Sequence, residues 1–195
     1  MGLSRYLVAT PAAVAVAKEG RAERVSSPVR GALRADLDQI FRRDYQLVVG
    51  VAARVLGSRE QAEDVAQDVF LSFSRSSVPA GEARGWLCVA AAHTALNLAR
   101  SRRRRVAREE TVAAEIPVVS DVADDVVRLE ERNRVRAALA RLPRKQAVAL
   151  VLRHSGLSYA EAAAALGLST GSVGTTVRRA ESALRKELIR HASSN

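Results

Sequence analysis

Residues 158–184 constrain the fold of this chain more than any other stretch of its sequence. Ser158, followed three positions later by Glu161, has the spacing of a capping box that begins a short helix. Gly167 is placed to end that helix, and Ser169 is placed to cap a second, longer one. Two helices joined by a tight Gly-Leu-Ser turn are typical of a DNA-binding helix-turn-helix.

The longer helix of this motif has an apolar face and a polar face. At 100° per residue the predicted buried stripe is Val173, Val177, Ala180 and Leu184. The side chains predicted to face DNA are Ser172, Thr175, Arg178 and Arg179. Small residues fit a major groove, and the arginines behind them reach phosphates. The alternative is a helical hairpin packed on a neighbour, with both arginines merely solvated.

Charge is arranged in blocks along the chain. The 195 residues include 31 Lys and Arg against 21 Asp and Glu, for a net charge of +10. Residues 76–108 carry +6 and residues 132–195 carry +9, whereas residues 109–131 between them carry −7. Two basic units joined by an acidic segment predict two contacts with nucleic acid and a connector, not an evenly charged enzyme surface.

Composition and periodicity predict an all-α fold with two helical units. Aromatic residues make up only 4% of the chain, so the core is expected to consist of Ala, Val and Leu. Three helices are predicted before residue 106, with breaks at Gly57 and around Pro79, and a second group begins near Val122. Residues 1–34 show weak periodicity and are expected to form a flexible extension.

Several function classes are disfavoured by what the sequence lacks. Cys88 is the single cysteine, which excludes an internal disulfide and argues against a secreted scaffold. One cysteine and three scattered histidines do not form a zinc-site pattern. No transmembrane segment is expected. No nucleophile–base set or phosphate-cradling glycine loop is present, so we predict no catalytic residue, no cofactor and no metal.

The second predicted helix, about Arg59 to Ser76, has an acidic outward face. Its predicted inward stripe is Ala62, Val65, Ala66, Val69 and Phe73. Asp64, Gln67 and Asp68 surround Leu71 on the outward face. A lone exposed leucine usually has no function, but one ringed by carboxylates on a basic chain equally fits a protein-docking patch. The spacing leaves both interpretations open.

The third predicted helix, about Glu82 to Arg105, combines an apolar stripe with a polar one. The stripe expected to face inward is Leu87, Ala91, Thr94 and Leu98. The stripe suited to stacking on and hydrogen bonding to unpaired bases is Trp86, His93, Asn97, Arg100 and Arg104. The alternatives are a partly buried core position for Trp86 and a solvated run for Arg102–Arg105.

Together these motifs resemble the extracytoplasmic-function sigma factors, a group of the bacterial sigma-70 family. AEDVAQDVFLSF (Ala62–Phe73) is similar to the part of region 2 that docks on the clamp helices of core RNA polymerase. The segment Ala83–Arg105 is similar to the part that melts and reads the −10 promoter element. Leu139–Ala180 is similar to region 4, which reads the −35 element. The resemblance covers about Leu37 to Leu188.

The resemblance implies a domain order and a set of partners. The expected segments are an extension (1–34), a region 2 helical domain (35–106), an acidic linker (107–127) and a region 4 helix-turn-helix domain (128–195). The expected partners are core RNA polymerase (clamp helices and flap), promoter DNA and an anti-sigma factor, with a cytoplasmic location and no membrane insertion. The predicted polymerase-binding residues are Asp64, Gln67, Asp68, Phe70 and Leu71. The predicted DNA-binding residues are Trp86, His93, Asn97, Arg100, Arg102, Arg103, Arg104, Arg105, Ser172, Thr175, Arg178 and Arg179.

The chain departs from the family pattern on both reading surfaces. It has Ala92-His93 where Arg-Asn is usual, and Gly174-Thr175-Thr176 where Lys-Ser-Arg is customary. These changes remove positive charge, so promoter sequence and strength are not predicted. Two alternatives to a sigma factor are a stand-alone helix-turn-helix regulator and a degenerate sigma-like protein that binds polymerase without initiating transcription.

Overall fold

The structure is a computed structural model that describes residues 34–109 and 123–192, and its regular elements in these ranges are all helices. The predicted extension at residues 1–34, except Arg34, lies outside the described residues, as do residues 110–122 of the predicted linker. The α-helices are α1 (Leu37–Leu56), α2 (Arg59–Ser74), α3 (Ala83–Glu109), α4 (Ala123–Arg141), α5 (Arg144–His154), α6 (Tyr159–Leu166) and α7 (Thr170–Ala192). The all-α prediction is confirmed.

Local capping signals place most helix ends within two residues of their predicted positions. Gly57 ends α1 with a φ of 75°, a left-handed conformation that glycine adopts without steric cost. Ser58 then caps α2 by accepting a hydrogen bond from the Gln61 N–H at 3.4 Å. The predicted loop around Pro79 contains a short 3-10 turn, Ala80–Glu82, that leads directly into α3.

The first three helices pack around a core of small and medium apolar side chains. Phe73, Leu87 and Leu96 are its largest fully buried members, and Val48 and Val51 contribute from α1. The predicted inward stripe of α2 is confirmed, because Ala62, Val65, Ala66, Val69 and Phe73 are all buried. This core is built mainly from Ala, Val and Leu, as the composition predicts.

The predicted inward stripe of α3 is partly wrong. Leu87 and Ala91 are buried, but Thr94 is half-buried and Leu98 is exposed. The residues that continue the buried face are Cys88, Ala92, Ala95 and Leu96. The buried face is therefore rotated by about a quarter of a turn from the predicted one, given 3.6 residues per turn. The close approach of α1 to the alanine-rich side of α3 explains this rotation, since small side chains let helices pack closely.

Helices α4 to α7 form a second helical unit. Leu152, Leu157, Val173 and Val177 are fully buried within it, and α5, α6 and α4 all pack against α7 or each other. Helical spacing predicts that Val135, Leu139 and Leu142 line one helix. Leu139 of α4 and Leu142, which follows α4, are buried, but Val135 is exposed because the preceding turns of α4 extend beyond the core. Both predicted helical units are present, and they share one apolar core across α3 and α5.

No helix in the described ranges is both long and apolar enough to cross a membrane. Among the same residues, no group of three His, Cys, Asp or Glu side chains is arranged to hold a metal ion.

Candidate nucleic-acid interface

Helices α6 and α7 meet at a capped turn with the geometry of a helix-turn-helix. Ser158 Oγ accepts from the Glu161 N–H at 3.1 Å, and the Ser158 N–H donates to Glu161 Oε2 at 2.7 Å, which completes the predicted capping box. These hydrogen bonds hold the pKa of Glu161 below its usual value. Gly167 ends α6 with a φ of 63°, and Ser169 Oγ accepts from the Ser172 N–H at 3.2 Å at the start of α7.

The outward face of α7 is the one predicted from the sequence. Ser172, Thr175, Arg178 and Arg179 are all exposed, whereas Val173, Val177 and Ala180 behind them are buried and Leu184 is half-buried. This arrangement leaves a row of small side chains followed by two guanidinium groups facing solvent along one helix. A row of that kind can enter a major groove and reach the flanking phosphates.

Two threonine hydroxyls on α7 are already engaged with the helix backbone. Thr175 Oγ1 donates to the Gly171 carbonyl at 3.0 Å, and Thr176 Oγ1 donates to the Ser172 carbonyl at 2.7 Å. The hydroxyl proton of Thr175 is thereby used within the helix. Its methyl group and an oxygen lone pair are what this side chain has left to present to a base edge.

A cleft of about 360 Å³ beside α7 brings the predicted Arg179 together with Arg144 and Lys145, two basic residues that were not predicted to bind DNA. It is lined by Pro143, Arg144, Lys145, Gln146, Thr176 and Arg179. Pro143 is the N-cap of α5, so the cleft lies at the positive, N-terminal end of that helix. The Pro-Arg-Lys sequence at the start of a helix is the signal from which this cleft could have been predicted.

The acidic face of α2 is exposed as predicted, with one exception. Asp64, Gln67, Asp68 and Leu71 are exposed, and Leu71 retains 56% of its surface. Phe70, by contrast, is only 5% exposed. Phe70 therefore lies beneath the surface that its neighbours form and does not present its ring to solvent.

An exposed aromatic residue of α1 adjoins this face. The Phe41 ring packs edge-on against Phe70, with centroids 4.9 Å apart, and lies 4.6 Å from the Tyr45 ring. Phe41 is 39% exposed, although Ile40 and Phe41 both recur at helical spacing with the other apolar residues of α1. Neighbouring residues on a helix point about 100° apart, and Ile40 is the buried one.

Trp86, at the start of α3, is half-buried. Its ring lies 5.8 Å from the Phe73 ring, and the Arg34 guanidinium lies over that same Phe73 ring, 4.3 Å from its centroid. The geometry therefore combines the two interpretations offered by the sequence: one part of the indole packs on the core and the other part faces outward.

The rest of the predicted base-reading stripe of α3 is only partly open to solvent, because Asn97 and Arg104 are exposed but Arg100 is half-buried. Arg100 donates from Nε to the Ala140 carbonyl at 3.0 Å and from Nη2 to the Leu142 carbonyl at 2.7 Å. Asn97 Oδ1 accepts from Arg144 Nη2 at 2.8 Å. His93 is half-buried between Arg100 and Arg144, and burial together with these two cations lowers its pKa to about 4. Arg102 to Arg105 are exposed.

These surfaces define a class: an all-α DNA-binding protein with a helix-turn-helix in one helical unit and a basic, partly aromatic helix in the other. Comparison with protein families specifies it further. Sigma-70 region 2 matches residues 40–105, and Sigma-70, region 4 matches residues 132–184.

Named relatives agree with the family matches. The ECF RNA polymerase sigma factor SigM of Mycobacterium tuberculosis is 32% identical over 178 residues, which is 88% of this chain and 86% of the relative. SigK of Mycolicibacterium vanbaalenii is 31% identical over 176 residues, covering 81% and 90%. SigE of Mycolicibacterium smegmatis is 33% identical over 165 residues, covering 80% of this chain and 63% of the relative.

The chain belongs to the extracytoplasmic-function sigma factors of the sigma-70 family, as the sequence motifs predict. Members of this family direct the initiation of transcription by RNA polymerase and are not enzymes in themselves. The predicted roles of the individual side chains are taken up below.

Proposed function

We propose that this sigma factor uses three separate surfaces to initiate transcription at its promoters. The exposed face of α2 binds the clamp helices of core RNA polymerase, α3 opens and reads the −10 element, and α7 reads the −35 element. The observation that carries the proposal is the α7 face, where all four predicted groove-facing side chains are exposed over a buried stripe.

The domain boundaries that go with this proposal are 35–106 for region 2, 107–127 for the linker and 128–195 for region 4. The family matches at residues 40–105 and 132–184 support these limits. Because RNA polymerase and the chromosome of a bacterium are cytoplasmic, we assign the protein to the cytoplasm. An anti-sigma factor is the natural partner for regulation and forms part of the same proposal.

The polymerase contact is argued from the surface around Leu71. An apolar side chain that stays more than half exposed among Asp64, Gln67 and Asp68 is not explained by packing within the described part of the fold. Phe41 extends this apolar surface by one ring on the neighbouring helix. A small apolar centre with a polar rim is the usual arrangement of a protein-binding hot spot.

Replacing Leu71 with Arg tests this contact, and Val127 offers a matched control. Leu71 and Val127 are 56% and 55% exposed, so Arg at either position leaves the described core intact. We expect Leu71→Arg to abolish co-purification with core RNA polymerase and Val127→Arg to retain it, with melting temperatures within a few degrees of the wild type. Loss of binding in both variants, or in neither, contradicts the assignment of the α2 face.

Run-off transcription separates the sigma-factor role from the two alternatives. Genomic fragments are transcribed with core polymerase alone and with core polymerase plus this protein. New, discrete transcripts that depend on the protein support the proposal. Tight binding of the free chain to duplex DNA without polymerase indicates a stand-alone regulator, and polymerase binding without any transcript indicates a degenerate sigma-like protein.

A further inference from the structure

Arg34, which precedes α1, contacts three other parts of region 2. Its Nε and Nη2 atoms donate to the two carboxylate oxygens of Asp36, the N-cap of α1, at 2.9 and 2.7 Å. Its Nη1 atom donates to the Val78 carbonyl at 2.5 Å, across 44 positions of the sequence. The guanidinium also lies over the Phe73 ring at the end of α2, 4.3 Å from its centroid. Every nitrogen of this guanidinium therefore has a partner.

These contacts hold Arg34 more firmly than a typical surface arginine. Its side chain is only 17% exposed, and the two-pronged pair with Asp36 raises the pKa of Arg34 and lowers that of Asp36. A planar guanidinium can bind a carboxylate along one edge and stack on an aromatic ring with its face. A lysine has a single ammonium group, so it cannot make all of these contacts at once.

The segment that Arg34 holds is the loop of residues 75–79, which joins α2 to the 3-10 turn before α3. The start of this loop is fixed locally by Ser76, whose N–H and Oγ both donate to the Phe73 carbonyl, at 2.9 and 2.8 Å. Further along, the Val78 carbonyl accepts the hydrogen bond from Arg34. The loop is therefore tied to a part of the chain that is distant in the sequence.

Arg34 is also connected to Trp86, the aromatic residue of the predicted base-reading stripe. The Phe73 ring, which is fully buried, contacts the Arg34 guanidinium and lies 5.8 Å from the Trp86 ring. The loop of residues 75–79 leads through one short turn into α3, and Trp86 is the fourth residue of that helix. Arg34 can thus influence the position of the indole both through a ring contact and through the backbone.

We propose that Arg34 is a positioning residue for the recognition of unpaired −10 bases, because it holds the loop of residues 75–79 and the Trp86 indole in place. The inference rests on the proposed function, in which α3 reads the −10 element, and adds to it a residue outside α3. A site that is ordered before DNA arrives loses less conformational freedom on binding. Loss of Arg34 should therefore weaken recognition of unpaired bases, whereas binding to duplex DNA and to polymerase is retained.

The fluorescence of the free protein tests the contact itself, because Trp86 is the only tryptophan in the chain. Arg34→Ala removes the group that lies over the Phe73 ring, so we expect acrylamide to quench Trp86 more strongly than in the wild type. Arg54→Ala is the matched control, since Arg54 also donates to a backbone carbonyl, that of Gly50, but within its own helix. Equal quenching in all three proteins contradicts the proposed effect on Trp86.

Binding of the holoenzyme to fork DNA tests the role in recognition. The first probe comes from a promoter fragment selected by run-off transcription, with a duplex −35 element and a single-stranded non-template strand at −10. The second probe has the same backbone but lacks the −10 bases. The wild type should bind the first probe at least about fivefold more tightly, as expected for stacking of one base. The ratio of the two affinities is compared, because a loss of folded or polymerase-bound protein affects both probes equally.

We expect Arg34→Ala to bind the two probes within about twofold of each other, as when base stacking is lost, and Arg54→Ala to keep the wild-type ratio. Arg34→Lys should resemble Arg34→Ala, because an ammonium group does not replace the planar guanidinium. A wild-type ratio in either Arg34 variant overturns the proposal and leaves the proposed function of α3 standing. A wild-type protein that does not distinguish the two probes overturns both.

Discussion

Asp44 is a fully buried acidic side chain in α1 whose charge is balanced by the adjacent residue. Its Oδ2 atom accepts from Arg43 Nη2 at 2.7 Å and from Nε at 3.0 Å, while Oδ1 has no hydrogen-bond partner among the described residues. A buried carboxylate is stable only when it is paired, because burial removes its hydration. The Arg43 guanidinium, which is half exposed, therefore supports the fold of region 2 from its surface.

Arg42 and Arg43 make a matched pair for testing this dependence. Arg42 pairs with Asp38, and both side chains of that pair are largely exposed. We expect Arg42→Ala to lower the free energy of unfolding by less than about 1 kcal/mol. Arg43→Ala should lower it by about 3 kcal/mol, because the buried carboxylate loses its partner. Urea denaturation of both variants measures the difference, and similar values for the two would show that Asp44 is stabilised in another way.

Thr175 is expected to contribute to promoter selectivity through its methyl group. Because its hydroxyl proton is donated to Gly171, Thr175→Val keeps the methyl group and should retain selectivity at the −35 element. Thr175→Ala should relax it at one or two positions, with each good base contact worth about 1–3 kcal/mol. Arg179→Ala should weaken binding to matched and mismatched elements alike. Binding of single-base −35 variants by holoenzyme measures all three, and loss of selectivity in Thr175→Val would assign the contact to the hydroxyl.

The side chains around Leu71 show how far sequence reasoning reaches at the scale of residues. The exposure of Asp64, Asp68 and Leu71 follows from helical spacing once the inward stripe of α2 is known. The burial of Phe70 and the exposure of Phe41 do not follow from helical spacing. They depend on how the two rings, on neighbouring helices, pack against each other. Periodicity assigns a face to a residue but does not show how aromatic rings on adjacent helices share that face.

At the scale of elements, the ends of the helices were easier to predict than the face that each helix buries. The capping box at Ser158 and the left-handed glycines at Gly57 and Gly167 depend on a few neighbouring residues, so the sequence contains the whole signal. The buried face of α3 depends on what packs on each side of it. Its inner side combines Leu87 and Leu96 with several buried alanines, and Leu98 is left outside although it is more hydrophobic than those alanines.

The C-terminal half of α3 is expected to bind the promoter backbone through its exposed arginines. Arg102 to Arg105 are exposed, unlike Arg100. Each duplex phosphate that these side chains neutralise contributes about 0.9 to the slope of the logarithm of affinity against the logarithm of salt concentration. Replacing all four with Ala should therefore make promoter binding by holoenzyme less dependent on salt.

Three exposed arginines of α4 provide the comparison for this measurement. Arg128, Arg132 and Arg134 are exposed but belong to no predicted DNA surface. Replacing them with Ala should leave the slope within about 0.5 of the wild type, as judged by the 0.9 expected for each phosphate. An unchanged slope for the α3 variant would assign Arg102–Arg105 to a solvated surface, and equal changes in both variants would indicate a general effect of net charge.

At the scale of the whole molecule, the sequence predicts both helical units but not their contact. Asn97 and Arg100 have the chemistry to bind bases and phosphates, and the same donors and acceptors fit the carbonyl end of α4 and the guanidinium of Arg144 equally well. Composition and spacing do not show whether Asn97 and Arg100 bind DNA or the second helical unit. Both partners present oxygen acceptors or hydrogen-bond donors that these side chains can bind. The choice depends on the relative position of two units that are distant in the sequence.

The junction between the units also makes the stability of the molecule dependent on pH. His93 on α3 faces Arg100 of its own helix and Arg144 of α5, and burial followed by these two charges lowers its pKa from 6.5 to about 4. The unfolded chain therefore binds the His93 proton more readily than the folded chain. The stability contributed by neutral His93 is fully present above pH 6.5 and is lost as the pH falls towards 4.

A pair of histidine variants isolates this contribution from the titration of carboxylates. His93→Gln removes the titrating group at the junction, and His154→Gln removes an exposed histidine at the end of α5. Between pH 6.5 and 4.5, the free energy of unfolding of the wild type should fall relative to that of His93→Gln, by at most about 1.4 kcal/mol per pH unit. The His154→Gln curve should stay parallel to the wild type. Parallel curves for His93→Gln and the wild type would show that His93 reaches water and that the junction is more open than the packing of Arg100 and Arg144 around it implies.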